Sequence, residues 1–265
     1  MSDVLDRPHV GRLLRSWRTR RNLSQLDLAL EAGVSARHVS FVETGRSRPS
    51  AEMVLHLAER LEVPLRERNG LLLAAGYAPV YGQRDLDEPA MGPVREAVER
   101  VLAAHEPFPA LVVDRHWGLV LANASVALLT DGVAAHLLEP PVNVLRLSLH
   151  PEGLASRIAN LGEWRAHLLE RLGRQAAASG DPALRTLRDE LAAYPAGSPA
   201  PAGDPVAGAI AVPLRLRHAA GELAFLSTVT TFGTATDITV AELAIESFYP
   251  ADERTGQALR ALAPR

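Results

Sequence analysis

The chain has 265 residues, a formal net charge of −3 and no cysteine, which excludes disulfides, zinc–thiolate centres and thiol nucleophiles. All 28 basic residues are arginine, so P-loop, Schiff-base and general-base lysines are excluded too. The length suits two domains that each bury a core. No apolar run reaches a membrane span and MSDVLDRPHVGR lacks a signal-type apolar stretch, so a soluble cytoplasmic protein is expected.

Charge is unevenly placed. Residues 1–80 carry 12 arginines against 9 carboxylates, whereas residues 81–265 carry 16 against 22. A basic front and an acidic back suit an N-terminal module that approaches phosphate and a C-terminal module that does not.

Five helices are expected before Tyr77. The first spans about Val10 to Arg21, with Leu13, Leu14 and Trp17 on one face; Arg12, Arg15, Arg20 and Arg21 read as a solvated face. Ser24 caps a second, Gln25 to Glu31, whose Leu26, Leu28, Ala29 and Leu30 supply apolar surface. Gly33 stands where the chain turns sharply. Ser35 caps a third, Ala36 to Glu43, with Val39 and Val42 sharing a face and Gly45 ending it. Ser50 caps a fourth, to Leu61, with Val54, Leu57, Ala58 and Leu61 inward. A fifth follows Pro64 and ends near Gly76.

A small residue (Ala29), a turn glycine (Gly33), an apolar plug (Val34) and branched residues facing back (Val39, Val42) meet the requirements of a helix-turn-helix at the right spacing. Residues 11–76, including the downstream ETGRSRPS, resemble the Xre/Cro-type helix-turn-helix domain. That resemblance implies that Gln25 binds backbone phosphate and braces the readout. It also implies that Ser35, Ala36, Arg37, His38, Ser40 and Phe41 present the recognition helix to base edges. Arg37 is the candidate for a bidentate guanine contact, and Arg46 and Arg48 are expected against phosphate. Arg18 and Glu43 match a family pair that salt-bridges the first helix to the recognition helix, a structural role.

Glycine and proline recur through GYAPVYGQRDLDEPAMGP, which reads as a linker. The expected domains are therefore 1–77, a linker over 78–93, and 94–265. Val94 to His105 is amphipathic. In ALVVDRHWGLVLAN, Leu111–Val113 and Leu119–Ala122 read as a hairpin bent at Asp114 and Gly118. Helices are expected around Ser125–Leu129, Gly153–Asn160, Trp164–Ala178 and Pro182–Tyr194, then a flexible loop, AGSPAPAGDP, over 196–205. Three strands follow. In the first, Ile210, Val212, Leu214 and Leu216 alternate with Ala211, Pro213, Arg215 and Arg217, and Pro213 argues for an edge. The second is Leu223–Phe232. The third, Thr239–Tyr249, is expected to place Ala241, Leu243 and Ile245 on one face and Glu242 and Glu246 on the other.

Five strands around a helical block predict an α+β chain: a five-helix head and a five-stranded antiparallel sheet with helices on one face. That topology is the one found in PAS domains. NVLRLSLHPEGLASRIAN and LSTVTTFGTATDITVAELAIESFYPADERTGQALRAL, joined to an Xre head, resemble the MmyB-like regulators, whose C-terminal module is a PAS-related ligand-binding domain. The resemblance implies a cavity for a fatty acid or similar apolar small molecule. Its candidate walls are Trp117, Leu121, Leu145, Leu149, Trp164, Leu168, Phe225 and Phe232, with Arg146, His150 and Arg157 as candidate anchors for an acyl carboxylate. No other cofactor and no metal are expected.

Catalysis is not expected. There is no HExxH, no GxSxG and no glycine-rich loop after a strand. Asp114 with His116, and Glu242 with Glu246, are explained by a turn and by a solvated sheet face. The expectation is a regulator that binds a pseudo-palindromic DNA operator as a homodimer and responds to an apolar ligand. A ligand-free dimerisation or docking role for the C-terminal domain stays open beside it.

Overall fold

Local signals account for the first five helices of the computed structural model, which describes residues 9–195 and 212–262. They are α1 (Val10–Arg20), α2 (Gln25–Ala32), α3 (Ala36–Glu43), α4 (Ala51–Arg60) and α5 (Leu65–Ala74). Ser24 caps α2 in a full capping box with Asp27, and Ser35 and Ser50 accept from the third residues of α3 and α4. Gly33 ends α2 at φ 64°, in the left-handed region that costs glycine nothing. Leu14, Leu28, Val39, Val42, Val54, Leu57, Leu61, Leu71 and Leu72 close the core, all at most 1% exposed. Each of the larger ones is worth about 1.5–3 kcal/mol of burial.

Two expectations for this region change. Leu26 and Leu30 are 58% and 72% exposed; the inward face of α2 is instead Leu28, Ala29 and Ala32. Arg21 is not part of a solvated face. It donates to the carbonyls of Leu61 and Glu62, satisfying the C-terminal end of α4. Gly11 has a specific reason to be glycine: a Cβ there would lie 2.2 Å from the Val42 carbonyl oxygen. The backbones of α1 and α3 touch at that point.

Contacts divide the chain into two compact units. One contains the described residues up to Arg84 with Ala177–Ser179 and Thr234–Ala241; the other contains the described residues of 85–176, 180–233 and 242–262. The second holds a five-stranded sheet of β1 (Ala110–Val113), β2 (Leu119–Ala122), β3 (Leu214–His218), β4 (Gly221–Thr231) and β5 (Ala244–Pro250), all antiparallel, in the order β2-β1-β5-β4-β3. The same unit holds α6 (Gly92–Ala104), α7 (Ala127–Thr130), α8 (Val144–Leu149), most of α9 (Leu161–Ser179), α10 (Pro182–Ala193) and α12 (Glu253–Leu262), while α11 (Ile238–Glu242) falls within the first unit except for Glu242.

The turn between β1 and β2 is built by Asp114, whose Oδ1 accepts from the backbone N–H groups of His116 and Gly118. Asn123 ties the end of β2 back to Ala110 and Phe108. On one face of the sheet Leu111, Leu214, Leu216, Leu223, Phe225 and Phe248 pack with Trp164, Leu168 and Leu172 of α9 and Leu184, Leu187 and Leu191 of α10. The other face of the central strands is covered as well. Ala110, Val112 and Ile245 are at most 4% exposed, and His105, following α6, sets its ring edge-on against Tyr249 on that side.

Three element expectations are corrected. Residues 153–160 contain only a 3-10 turn, Leu154–Ser156, and the helix in that region is the shorter α8, capped by Asn143. Thr239–Glu242 belongs to α11, so the last strand starts at Ala244. Glu246, expected on a solvated face, is 5% exposed and points into the core side of the central strand β5. The strand expected after the 196–205 loop is seen from Leu214, one residue beyond Pro213, as an edge strand. The loop itself, with Ile210 and Ala211, lies outside the described residues.

Candidate DNA interface and ligand cavity

The first site is the outward side of α3. Val39, Val42 and Glu43 face in, which leaves the side bearing Arg37, Ser40 and Phe41 outward by helical period. Arg37 is exposed, and its guanidinium lies 5.1 Å from the Phe41 ring centroid. Arg46 approaches the same ring at 5.8 Å. The ring thus gathers two cations, one from the first turn of α3 and one from beyond its end, by cation–π attraction. Ser35 accepts from His38 N at the helix start, and Ala36 is half-buried against the core.

Two of the expected contacts are already engaged, and the ring of a third is buried at one nitrogen. Gln25 donates from Nε2 to Glu43 Oε2 at 2.7 Å, so its amide braces α3 directly. His38 has its Nε2 buried without a hydrogen-bond partner, turned away from the outward side. Arg48 donates to the Ala75 carbonyl at 3.1 Å, with its guanidinium over the Tyr77 ring at 5.8 Å. Its first role is to close the C-terminal end of α5, because that end leaves carbonyls without helical partners.

Behind α3 lies the pair that fixes it. Arg18 Nε donates to Glu43 Oε1 at 2.6 Å and Nη2 to Oε2 at 2.9 Å, while Nη1 reaches the Leu23 carbonyl at 2.7 Å. The two side chains are 12% and 2% exposed. The hydrogen bonds from Arg18 to Glu43 outweigh burial and hold the guanidinium pKa above its ordinary value. One carboxylate therefore joins α1, α2 and α3.

The second site is a cavity of about 170 Å³ between the sheet and the helices. Of the expected walls, Leu145, Trp164 and Leu168 line it. The sequence reading missed Leu111, Leu119, Val144, Leu147 and Phe248, together with Glu246. The remaining candidates lie elsewhere. Trp117 stands behind Arg171, whose guanidinium is 4.3 Å over its ring, and Phe225 stands behind Phe248. Leu149 is ordinary core at 1% exposure. Leu121 pairs with Val112 and so lies on the opposite face of the sheet, and Phe232 follows the end of β4.

None of the three expected cationic anchors reaches the cavity lining. Arg146 forms a two-pronged ion pair with Glu190 at 2.7 and 2.8 Å, joining α8 to α10. Arg157 donates to the carbonyls of Leu128 and Leu129, closing the end of α7. His150 packs edge-on against Tyr194 and accepts from Glu152 N. The polar groups that do line the cavity are Thr130, Ser148 and Glu246. Ser148 Oγ accepts from Trp164 Nε1 at 3.0 Å. Glu246 Oε1 accepts from Arg171 Nη1 at 3.1 Å. Burial pushes the Glu246 pKa up, against the pull of Arg171.

The pairs weighed for catalysis have structural partners. Asp114 shapes its turn. His116 Nε2 sits 2.8 Å from Asp181 Oδ2, beside Arg115. Asp181 also accepts from Ala183 N, capping α10. Burial favours the neutral acid, but the hydrogen bonds from His116 and Ala183 and the charge of Arg115 prevail, and its pKa lies below the ordinary value. Among the described residues, His136, His150 and Glu152 bring candidate ligand atoms within 4.8 Å of one another, with His136 and Glu152 at the surface.

Together, a helix-turn-helix with an exposed arginine on α3 and a separate sheet unit with an apolar cavity define a class: a DNA-binding transcription regulator with a ligand-binding C-terminal domain. Residues 94–262 match the family described as MmyB-like transcription regulator ligand binding domain, and residues 14–68 match a helix-turn-helix family. The chain belongs to the MmyB-like family. Both are families of transcription regulators, and no catalytic family is indicated. No curated protein registers as a match. Among solved structures, a single-substitution variant of RsLOV aligns at 17% identity and TM-score 0.30, covering 64% of this chain and 75% of that one. An RNA-binding light-oxygen-voltage receptor aligns at 17% identity and TM-score 0.25, over 97% of this chain and 64% of the receptor. Both superpositions are too loose to establish a shared fold. No helix among the described residues is long and apolar enough to cross a membrane.

Proposed function

We propose that the protein binds a pseudo-palindromic operator as a homodimer and that an apolar small molecule, such as a fatty acid, held in the second unit changes its affinity for DNA. Two recognition helices would enter successive major grooves about one helical turn apart, with Arg37 contacting guanine and Arg46 contacting phosphate. Residues 1–77 form the DNA-binding domain in this reading, 78–93 the linker and 94–265 the sensor. The observation that carries it is the apolar cavity in the region matched as ligand-binding. A ligand alters DNA affinity only if it binds one arrangement of the protein better than another. Its volume suits a short chain rather than a long one.

Organic extraction and mass spectrometry of the purified full chain test this reading. A stoichiometric apolar compound, whose removal and return change operator affinity, is expected. Empty extracts and no thermal stabilisation by any apolar compound would favour a second reading, in which the sheet unit is a dimerisation or docking module. Leu226 and Tyr249 support that alternative: they are cross-strand neighbours, 38% and 44% exposed.

A further inference from the structure

Among the described residues, the cavity lining contains a single ionisable group, and it is an acid. Glu246 lies on β5, opposite Leu111 of β1 and between Ala244 and Phe248 on the same face, with its side chain 7% exposed. Its charge is already balanced by Arg171, which is itself 19% exposed and held by the Trp117 ring. Among the described residues, no cation lines the cavity itself. A ligand carboxylate placed beside the ionised Glu246–Arg171 pair would meet a like charge with no unspent positive charge beside it, and burying an uncompensated charge is costly. An ammonium would approach Glu246 but oppose Arg171. A neutral hydroxyl does neither: it donates to a Glu246 oxygen, which can accept whether or not that carboxyl carries a proton.

Size narrows the class further. Apolar cavities of about 150 Å³ take up a molecule the size of benzene, and this one is about 170 Å³. Trp164, Phe248 and the surrounding leucines offer flat and branched apolar walls to such a body.

We infer that the cavity selects a compact, neutral apolar molecule bearing one hydroxyl, of the alkylphenol or short-alcohol class, and that Glu246 is the acceptor that distinguishes it from the corresponding carboxylate. This rests on the ligand-sensing reading above and departs from its fatty-acid example in the head group, which becomes a hydroxyl in place of a carboxylate.

The test titrates the full chain calorimetrically with 4-methylphenol, toluene and 4-methylbenzoate, which share one tolyl body and differ in the head group. 4-Methylphenol is expected to bind at least tenfold more tightly than 4-methylbenzoate and measurably more tightly than toluene. Glu246→Gln, which leaves Arg171 uncompensated, should strengthen 4-methylbenzoate binding. Glu246→Leu should abolish the preference for 4-methylphenol over toluene. The wild-type comparison stands by itself if either variant fails to fold. Equal or tighter binding of 4-methylbenzoate to the wild type overturns the inference and leaves ligand sensing intact. So does binding confined to larger apolar compounds. No binding by any probe, with empty extracts, overturns both.

Discussion

Glu43→Ala removes an acceptor that three donors share: Arg18 Nε and Nη2, and Gln25 Nε2, all within 2.9 Å. The carboxylate is 2% exposed and the Arg18 side chain 12%, so truncation leaves a guanidinium in a nearly dry site. Breaking a buried pair from one side costs about 3–5 kcal/mol. Arg18 keeps its bond to the Leu23 carbonyl, which places the expectation near the lower end, about 3 kcal/mol. At about 1.4 kcal/mol per tenfold, that is roughly a hundredfold in the opening equilibrium. Hydrogen exchange on the full chain reads it locally: amides of α1–α3 should exchange about a hundredfold faster, while the sheet strands stay unchanged. The double substitution Arg18→Met with Glu43→Leu should recover most of the loss, because no stranded charge remains. An acceleration under about threefold for Glu43→Ala would show a solvated pair of the usual small worth. A double variant no better than the single would refute the argument from the stranded charge.

Other outcomes follow from the same geometry. Arg37→Ala should lose about 1–3 kcal/mol of specific DNA binding with little change in non-specific binding, measured on operator and scrambled duplexes; equal losses would count against base readout. Arg46→Ala should flatten the dependence of log affinity on log salt by about 0.9. Arg48→Ala should leave that slope unchanged and instead speed exchange at the end of α5, where its guanidinium meets the Ala75 carbonyl. Asp181→Asn should destabilise the protein only above the ordinary carboxylate range. The folded pKa of Asp181 is depressed, so its contribution is present there and lost as pH falls through the folded pKa. Urea melts of wild type and variant should therefore converge in acid.

The helical head was legible because its signals are local. Serine caps, the Gly33 turn and the 3.6-residue spacing of Leu14, Val39 and Leu57 each sit within one or two turns of the residues they control. The sensor was legible in topology but not in detail. α8 is six residues long, too short for periodicity to show; the Asn143 cap was the available signal. β5 is buried on both faces, so alternation carries no information about which side is core. The preceding α11 also shifts where the strand starts, which is why Glu246 was assigned to solvent. Cationic anchors were sought among Arg146, His150 and Arg157 by their place in the chain. Glu190 lies 44 residues from Arg146 and Leu128 lies 29 from Arg157, and spacing along the chain does not reveal such partners.

The two sides of α3 answer to different demands. Val39, Val42 and the clamped Glu43 hold the helix in place; Arg37 and Ser40 on the opposite side carry little of the fold. Exposed exchanges of that kind usually shift stability by less than about 0.5 kcal/mol. Under the proposed readout, outward side chains can be exchanged to change target preference while the scaffold beneath remains untouched.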